Sequence, residues 1–167
     1  MNQGTELVGR ARVEADAAAR DLAIRIVSRP NADSLNEAAE LLGITPGDIV
    51  KTLVVKRADG TFLFALVPGG RKISWPKLRA LVGVNKLSMP DPAIAFQATG
   101  YERGTITPLG STNAWPVYAD ELIVDPARRE GAEIAMGSGE TGYSLFVDPD
   151  ALVAALDATV ADITDPE

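Results

Sequence analysis

The chain has 167 residues, 46% hydrophobic and 23% charged, with a formal charge of −7 at pH 7. That composition suits one soluble globular domain with a sizeable core. Cysteine and histidine are both absent, which excludes disulfides, thiolate nucleophiles, the Ser-His-Asp triad, imidazole acid–base catalysis and every Cys- or His-ligated metal site.

In chain order, Glu6 to Asp21 is alanine-rich and reads as a helix. Met1 to Arg20 mixes acids with arginines and has no apolar core of the signal-peptide kind, so the cytoplasm is the expected compartment. No apolar run reaches the length of a bilayer span, and no membrane partner is expected. Leu22 to Val27 predicts a strand. Ser34 and Glu37 form a capping-box pattern for a helix that ends at Gly43. Thr45-Pro46-Gly47-Asp48 is a turn. Ile49 to Val55 and Thr61 to Val67 are β-branched, apolar runs around Asp59-Gly60, the pattern of a buried hairpin.

Beyond the hairpin, Ser74 caps a short helix through Leu81, and Asp91 with Pro92 starts a second one that ends at Gly100. Gly104 to Gly110 is a glycine/proline loop. Trp115 to Tyr118, Leu122 to Val124, Glu133 to Met136 and Tyr143 to Val147 read as strands. Asp148-Pro149-Asp150 opens a last helix, Ala151 to Leu156, and Thr159 to Ile163 is a closing strand. Hairpins mixed with helices predict a mixed α/β sheet rather than a regular βαβ array.

Lys51 lies inside the first apolar run of the hairpin. Desolvating an ammonium is costly, so Lys51 points either into a cleft that a polar ligand completes or to the strand's solvent face. Charge is also unevenly placed. From Lys51 to Lys86 eight basic residues face a single acid, Asp59, a net of +7; the remainder carries eight against twenty-two, a net of −14. An acidic protein can thus present a basic stripe to a phosphate backbone, unless these residues spread around the surface.

Residues 137–142 spell G-x-G-x-x-G, but between two strands near the C-terminus, which rejects a dinucleotide fingerprint. This loop and Gly104 to Gly110 are each either a concave site of backbone N–H groups or a plain flexible connection. Ser111 and Thr112 have no histidine to activate them. The acid pairs Asp120-Glu121 and Asp148/Asp150 could hold Mg²⁺ but more often form solvated faces.

Read in order, three blocks resemble the YbaK/ProX family: Leu42 through Leu53, with Lys51-Thr52; Asp91-Pro92, Thr99-Gly100-Tyr101 and Gly104 through Thr107-Pro108-Leu109-Gly110; and Gly137-Ser138-Gly139-Glu140-Thr141-Gly142. The resemblance covers about residues 22–165 and is nearest the YbaK-like branch. It implies residues 22–167 as one deacylase domain after an N-terminal helix, 1–21, with a barrel-like mixed sheet and no required metal or cofactor. It implies trans-editing hydrolysis of the ester of a misacylated tRNA, Cys- or Ala-tRNA(Pro) above all, with prolyl-tRNA synthetase as a candidate partner. Lys51 would be the catalytic lysine. Thr52, Gly104, Thr107, Pro108, Gly110, Gly137, Ser138, Gly139 and Gly142 would bind substrate. The chain departs from the family where members often carry a histidine or tyrosine and it has Ser28-Arg29-Pro30. It departs again at Gly137, Glu140 and Thr141 of the third loop. A non-catalytic aminoacyl-tRNA or nucleotide-binding module and an unrelated small-ester hydrolase are the competing classes.

Overall fold

The computed structural model describes residues 7–127 and 132–167. In order, its elements are α1 (Arg10–Ala19), β1 (Ile24–Ser28), α2 (Leu35–Leu42), β2 (Val50–Arg57), β3 (Phe62–Pro68), β4 (Arg71–Ile73), α3 (Trp75–Val82), β5 (Leu87–Ser88), α4 (Pro92–Thr99), β6 (Val117–Asp120), β7 (Ile134–Gly137), β8 (Tyr143–Val147), α5 (Pro149–Ala155), β9 (Thr159–Ala161) and β10 (Thr164–Pro166). The first helix is shorter than the alanine-rich run suggests, and Glu6 lies outside the described residues.

The β2–β3 hairpin is central. It pairs antiparallel from Val50–Pro68 to Lys56–Phe62 around the Asp59-Gly60 turn. There the Thr61 N–H and hydroxyl both donate to Asp59, holding its carboxyl below the usual range, and Gly60 takes φ +87°. The hairpin lies inside a five-stranded sheet of order β5-β2-β3-β6-β9, in which β3–β6 and β6–β9 are parallel. A three-stranded antiparallel sheet, β1-β8-β7, lies across the main core, and β10-β4 forms a separate pair.

That core joins Val50, Val54, Phe64 and Leu66 of the larger sheet to Ile134, Met136, Leu145 and Val147 of the smaller one. A second core, Val55, Leu63, Ala65, Leu78, Leu87 and Ile163, fills the other face of the hairpin beneath α3. The split follows from the two-residue period of a strand, which sends alternate side chains to opposite faces.

The fold class is mixed α/β, as expected, but the sheet is not closed into a barrel. The larger and smaller sheets touch through one isolated parallel bridge, Ile49–Ala135, and no further ladder joins β2 to β7 among the described residues. Leu122–Val124, expected as a strand, belongs to a 3₁₀ turn, Glu121–Val124. The reason is Asp120: its carboxylate accepts from the Leu122 N–H at 3.2 Å, capping the turn, and from the Ile163 N–H at 3.1 Å and the Thr164 hydroxyl at 3.0 Å. The capping box at Ser34 is only half formed. Ser34 Oγ accepts from the Glu37 N–H, but the Glu37 carboxylate accepts from Asp33, one residue before the cap. The other helix caps, Ser74, Asp91 and Asp148, form as the pattern predicts, each accepting from an N–H three residues on.

Candidate active-site cleft

The unclosed seam between β2 and β7 opens as a cleft of about 700 Å³. Residues 49–54 form one wall and Ala135, Met136 and Gly137 the opposite one. Ala38 and Leu42 of α2, Met89-Pro90, Pro92 and Ala95 of α4, and Arg103, Gly104 and Ile106 of the irregular loop complete it.

Strand parity decides what β2 offers. The Gly69 N–H donates to Ile49 and the Arg57 N–H to Thr61, so the odd-numbered residues of β2 are those hydrogen-bonded to β3. The peptide groups of Thr52 and Val54 therefore face the free edge, between the Ile49–Ala135 bridge and the Lys56–Ser88 pairing with β5. The side chains diverge as well. Thr52 leaves on the face of Val50 and Val54, and its hydroxyl is buried with no hydrogen-bond partner among the described residues. Lys51 leaves on the face of Leu53 and Val55, beyond the cover of the second core. It is exposed, and its ammonium makes no hydrogen bond or ion pair among the described residues. Both reach the cleft because the cleft runs along the strand's edge.

Of the residues expected to form the site, the structure brings Lys51, Thr52, Gly104 and Gly137 together. The others do not line the cleft; they lie behind it. Thr107 is fully buried, and its hydroxyl accepts from the Leu109 N–H at 3.3 Å. Pro108 is buried beside it. Gly110, at φ +71°, is bound through both peptide atoms to α1. Ser138 is fully buried, its hydroxyl bonded to Glu140 and Tyr143 within the loop. The Gly139 N–H donates to Thr105 at 2.8 Å, tying the third block to the second, and the Gly142 carbonyl accepts from the Arg29 N–H at 2.8 Å. Gly137 is where these two blocks meet, since a Cβ there would run into the Thr105 and Ile106 carbonyls.

Two charged cleft residues, Arg29 and Arg103, were not among the expected site residues. Arg29 donates to Ser144 Oγ at 3.0 Å and to Pro30 O at 2.9 Å, which holds its guanidinium at the rim. Arg103 is exposed and unpaired among the described residues. Among the described residues, they and Lys51 give the cleft three cations, and no carboxylate lines it. Only Lys51 of the basic 51–86 segment contributes. Lys77 is held instead by Asp162 and Asp165, each at 3.0 Å, and these bonds raise its pKa. Arg71 binds Thr164. A count of charge along the chain cannot find the cleft's cations, because they come from three separate segments. Among the described residues no cluster of three metal-ligating side chains exists.

A mixed α/β fold with a cationic, apolar-walled cleft at an open strand edge is the geometry of a binder or hydrolase of an anionic, partly apolar ligand. The model of the aminoacyl-tRNA editing domain family matches residues 29–155, a span that contains all three sequence blocks. The chain belongs to that family, as the resemblance implies. It is 30% identical over 134 residues to a candidate Cys-tRNA(Pro)/Cys-tRNA(Cys) deacylase, EbsC, of Enterococcus faecalis, covering 80% of this chain and 79% of that one. It is 35% identical over 98 residues to the proline–tRNA ligase of Thermosipho melanesiensis, covering 59% of this chain but only 17% of the ligase. The crystal structure of a candidate trans-editing enzyme for prolyl tRNA synthetase superposes with a TM-score of 0.83 at 27% identity, covering 96% of this chain and 99% of that one.

Proposed function

We propose that the protein is a trans-editing aminoacyl-tRNA deacylase of the cytoplasm. Its reaction is hydrolysis of the ester between a wrong amino acid and the tRNA 3′-terminal adenosine, with Cys- or Ala-tRNA(Pro) as substrate. The observation that carries this reading is the cleft itself: three cations with no lining acid among the described residues, beside apolar walls and an unpaired strand edge. The cations suit the phosphates of a single-stranded tRNA end, and the apolar walls suit a small side chain.

In the proposed reaction, water adds to the ester carbonyl carbon and negative charge builds on the carbonyl oxygen. Collapse of that adduct expels the ribose oxygen, which takes up a proton. Backbone N–H groups are the donors for the developing oxyanion, supplied by the cleft-lining start of the first glycine loop at Gly104 and by the open edge at Thr52 and Val54. Lys51 holds a phosphate, a ribose oxygen or the attacking water. The thiol, ammonium or ribose hydroxyl of the substrate assists proton transfer in a chain without histidine or cysteine. Selection rests on pocket size, where one methylene is worth about 1–3 kcal/mol.

The lack of a lining carboxylate favours a second reading, a module that binds an aminoacylated or nucleotide ligand without turning it over. Deacylation of Cys-, Ala-, Ser- and Pro-tRNA(Pro) by the wild type and Lys51→Ala separates the two. Selective, Lys51-dependent loss of one ester supports the enzyme. Intact esters with tRNA still bound move the assignment to the module, and turnover of simple esters without tRNA dependence moves it to a general esterase.

A further inference from the structure

We propose that the N-terminal helix α1 is a positioning element for the cleft, and that Arg12 and Asp16 are its positioning residues. Neither reaches the cleft, and α1 lies before the stretch that the family model matches.

The contact is a fork on one residue, whose N–H and carbonyl belong to successive peptide groups. Arg12 Nε donates to the Gly110 carbonyl at 2.7 Å, and Asp16 accepts from the Gly110 N–H at 2.8 Å. Both partners are charged, so these are the shorter, stronger class of hydrogen bond. Next to the fork, the Tyr101 hydroxyl donates to Leu109 O at 2.7 Å, and the Arg12 guanidinium lies 5.5 Å from the Tyr101 ring centre. Burial pushes the Tyr101 phenol up to about 12, with Asp16 adding to the shift and Arg12 opposing it, so this donor keeps its proton at working pH. Gly110 cannot carry a side chain, because a Cβ would meet the Arg12 carbonyl at 2.8 Å. The loop therefore lies directly on the helix.

The same helix reaches the third block. The Arg10 N–H and guanidinium both lie 3.4 Å from Glu140 carboxylate oxygens. A Cβ on Gly139 would meet Tyr101 Cε1 at 2.8 Å and Val13 Cγ2 at 3.0 Å. The Arg10 guanidinium also stacks 4.0 Å from the ring centre of Tyr143, a cleft residue. From the fork, support runs through Gly139 to Thr105 and from Thr105–Ile106 to Gly137. The two glycine loops, each hydrogen-bonded within itself, are thereby also fixed from behind. Loops held this way keep a wall to the sub-ångström tolerance that a reacting geometry needs.

The kinetic arm of the test rests on the deacylase reading; the exchange arm does not. Arg12→Ala, Arg12→Lys and Asp16→Ala are compared with Ile123→Val, a mild core change outside α1 and outside both glycine loops that lowers Tm. The expected result is a fall in kcat of about tenfold for Arg12→Ala and Asp16→Ala with KM nearly unchanged, and partial recovery in Arg12→Lys. Ile123→Val should keep wild-type kcat. Amide hydrogen exchange should quicken in 104–110 and 137–142 for the two alanine variants and stay slow there for Ile123→Val. Unchanged exchange in those loops overturns the inference, as does a kcat loss in Ile123→Val matching that of Arg12→Ala. If the wild type hydrolyses no charged tRNA, the functional reading fails, and exchange alone still decides whether α1 holds the loops.

Discussion

Lys51 and Lys77 come from the same basic segment and end in opposite situations. Lys77 stands over the sealed second core and is fixed by Asp162, Asp165 and the Thr164 carbonyl. Lys51 stands where the hairpin edge is uncovered, and nothing among the described residues neutralises it. The first region spends its charge on closing a sheet. The second keeps its charge for whatever enters the cleft. The difference between them is a matter of partners, since both lysines have the same chemistry.

The sharpest way to break this contrast is to remove each lysine in turn. Lys51→Ala should lower single-turnover deacylation by about 10²-fold or more with little change in Tm, because its side chain makes no hydrogen bond or ion pair among the described residues. Lys77→Ala should lower Tm slightly and leave deacylation intact. Equal activity losses in the two variants would end the assignment of Lys51. The second core offers the reverse experiment. Leu78 is fully buried there, so Leu78→Ala should cost about 2–5 kcal/mol of stability, with unchanged kcat per folded molecule. A kcat loss at constant folded fraction would mean that the two regions are coupled.

A smaller effect is expected at the wall of the cleft. A Cβ on Gly137 would have to displace the Thr105 and Ile106 carbonyls, and such overpacking costs about 1–3 kcal/mol. Gly137→Ala should therefore lose some stability, and more activity than its Tm predicts, because the displaced residues adjoin Gly104. Retained deacylation in this variant would show that the wall does not need its present position.

Much of the frame was legible from local chemistry. The Asp59-Gly60 hairpin, the Ser74, Asp91 and Asp148 caps and the apolar faces of β2 and β3 are each specified within a few residues. Lys51 stood out because an ammonium interrupts an apolar strand, which left open whether it faces a cleft or solvent, and Thr52 followed from the family resemblance alone. What stayed hidden depends on pairing between distant segments. Asp120 turns Leu122–Val124 into 3₁₀ geometry by bonding Ile163 and Thr164, more than forty positions away. The sheet stays open because, among the described residues, the Ile49–Ala135 bridge is the sole backbone pairing between the larger and smaller sheets. Arg29 and Arg103 become cleft residues through that same opening, and neither carries a local signal. Thr107, Pro108, Gly110 and Ser138 sit in recognisable loops, yet only the packing against α1 and within the loops shows that they stand behind the wall.

The smallest expected effect is the most discriminating. The Thr52 hydroxyl is buried without a partner among the described residues, so what enters the cleft, water or ligand, is placed to satisfy it. A buried polar group left unpaired costs about 1–3 kcal/mol. Thr52→Val keeps the branched shape and removes that group, so stability should hold or rise by about 1 kcal/mol. A hydroxyl kept against this cost has a use in the bound state, and deacylation by Thr52→Val should fall several-fold, mostly in KM. Urea denaturation and steady-state kinetics on one preparation read both quantities. Lower stability would mean that the hydroxyl is satisfied in the free protein. Unchanged kinetics with higher stability would make Thr52 a bystander and leave the open edge of β2 to act through its peptide groups alone.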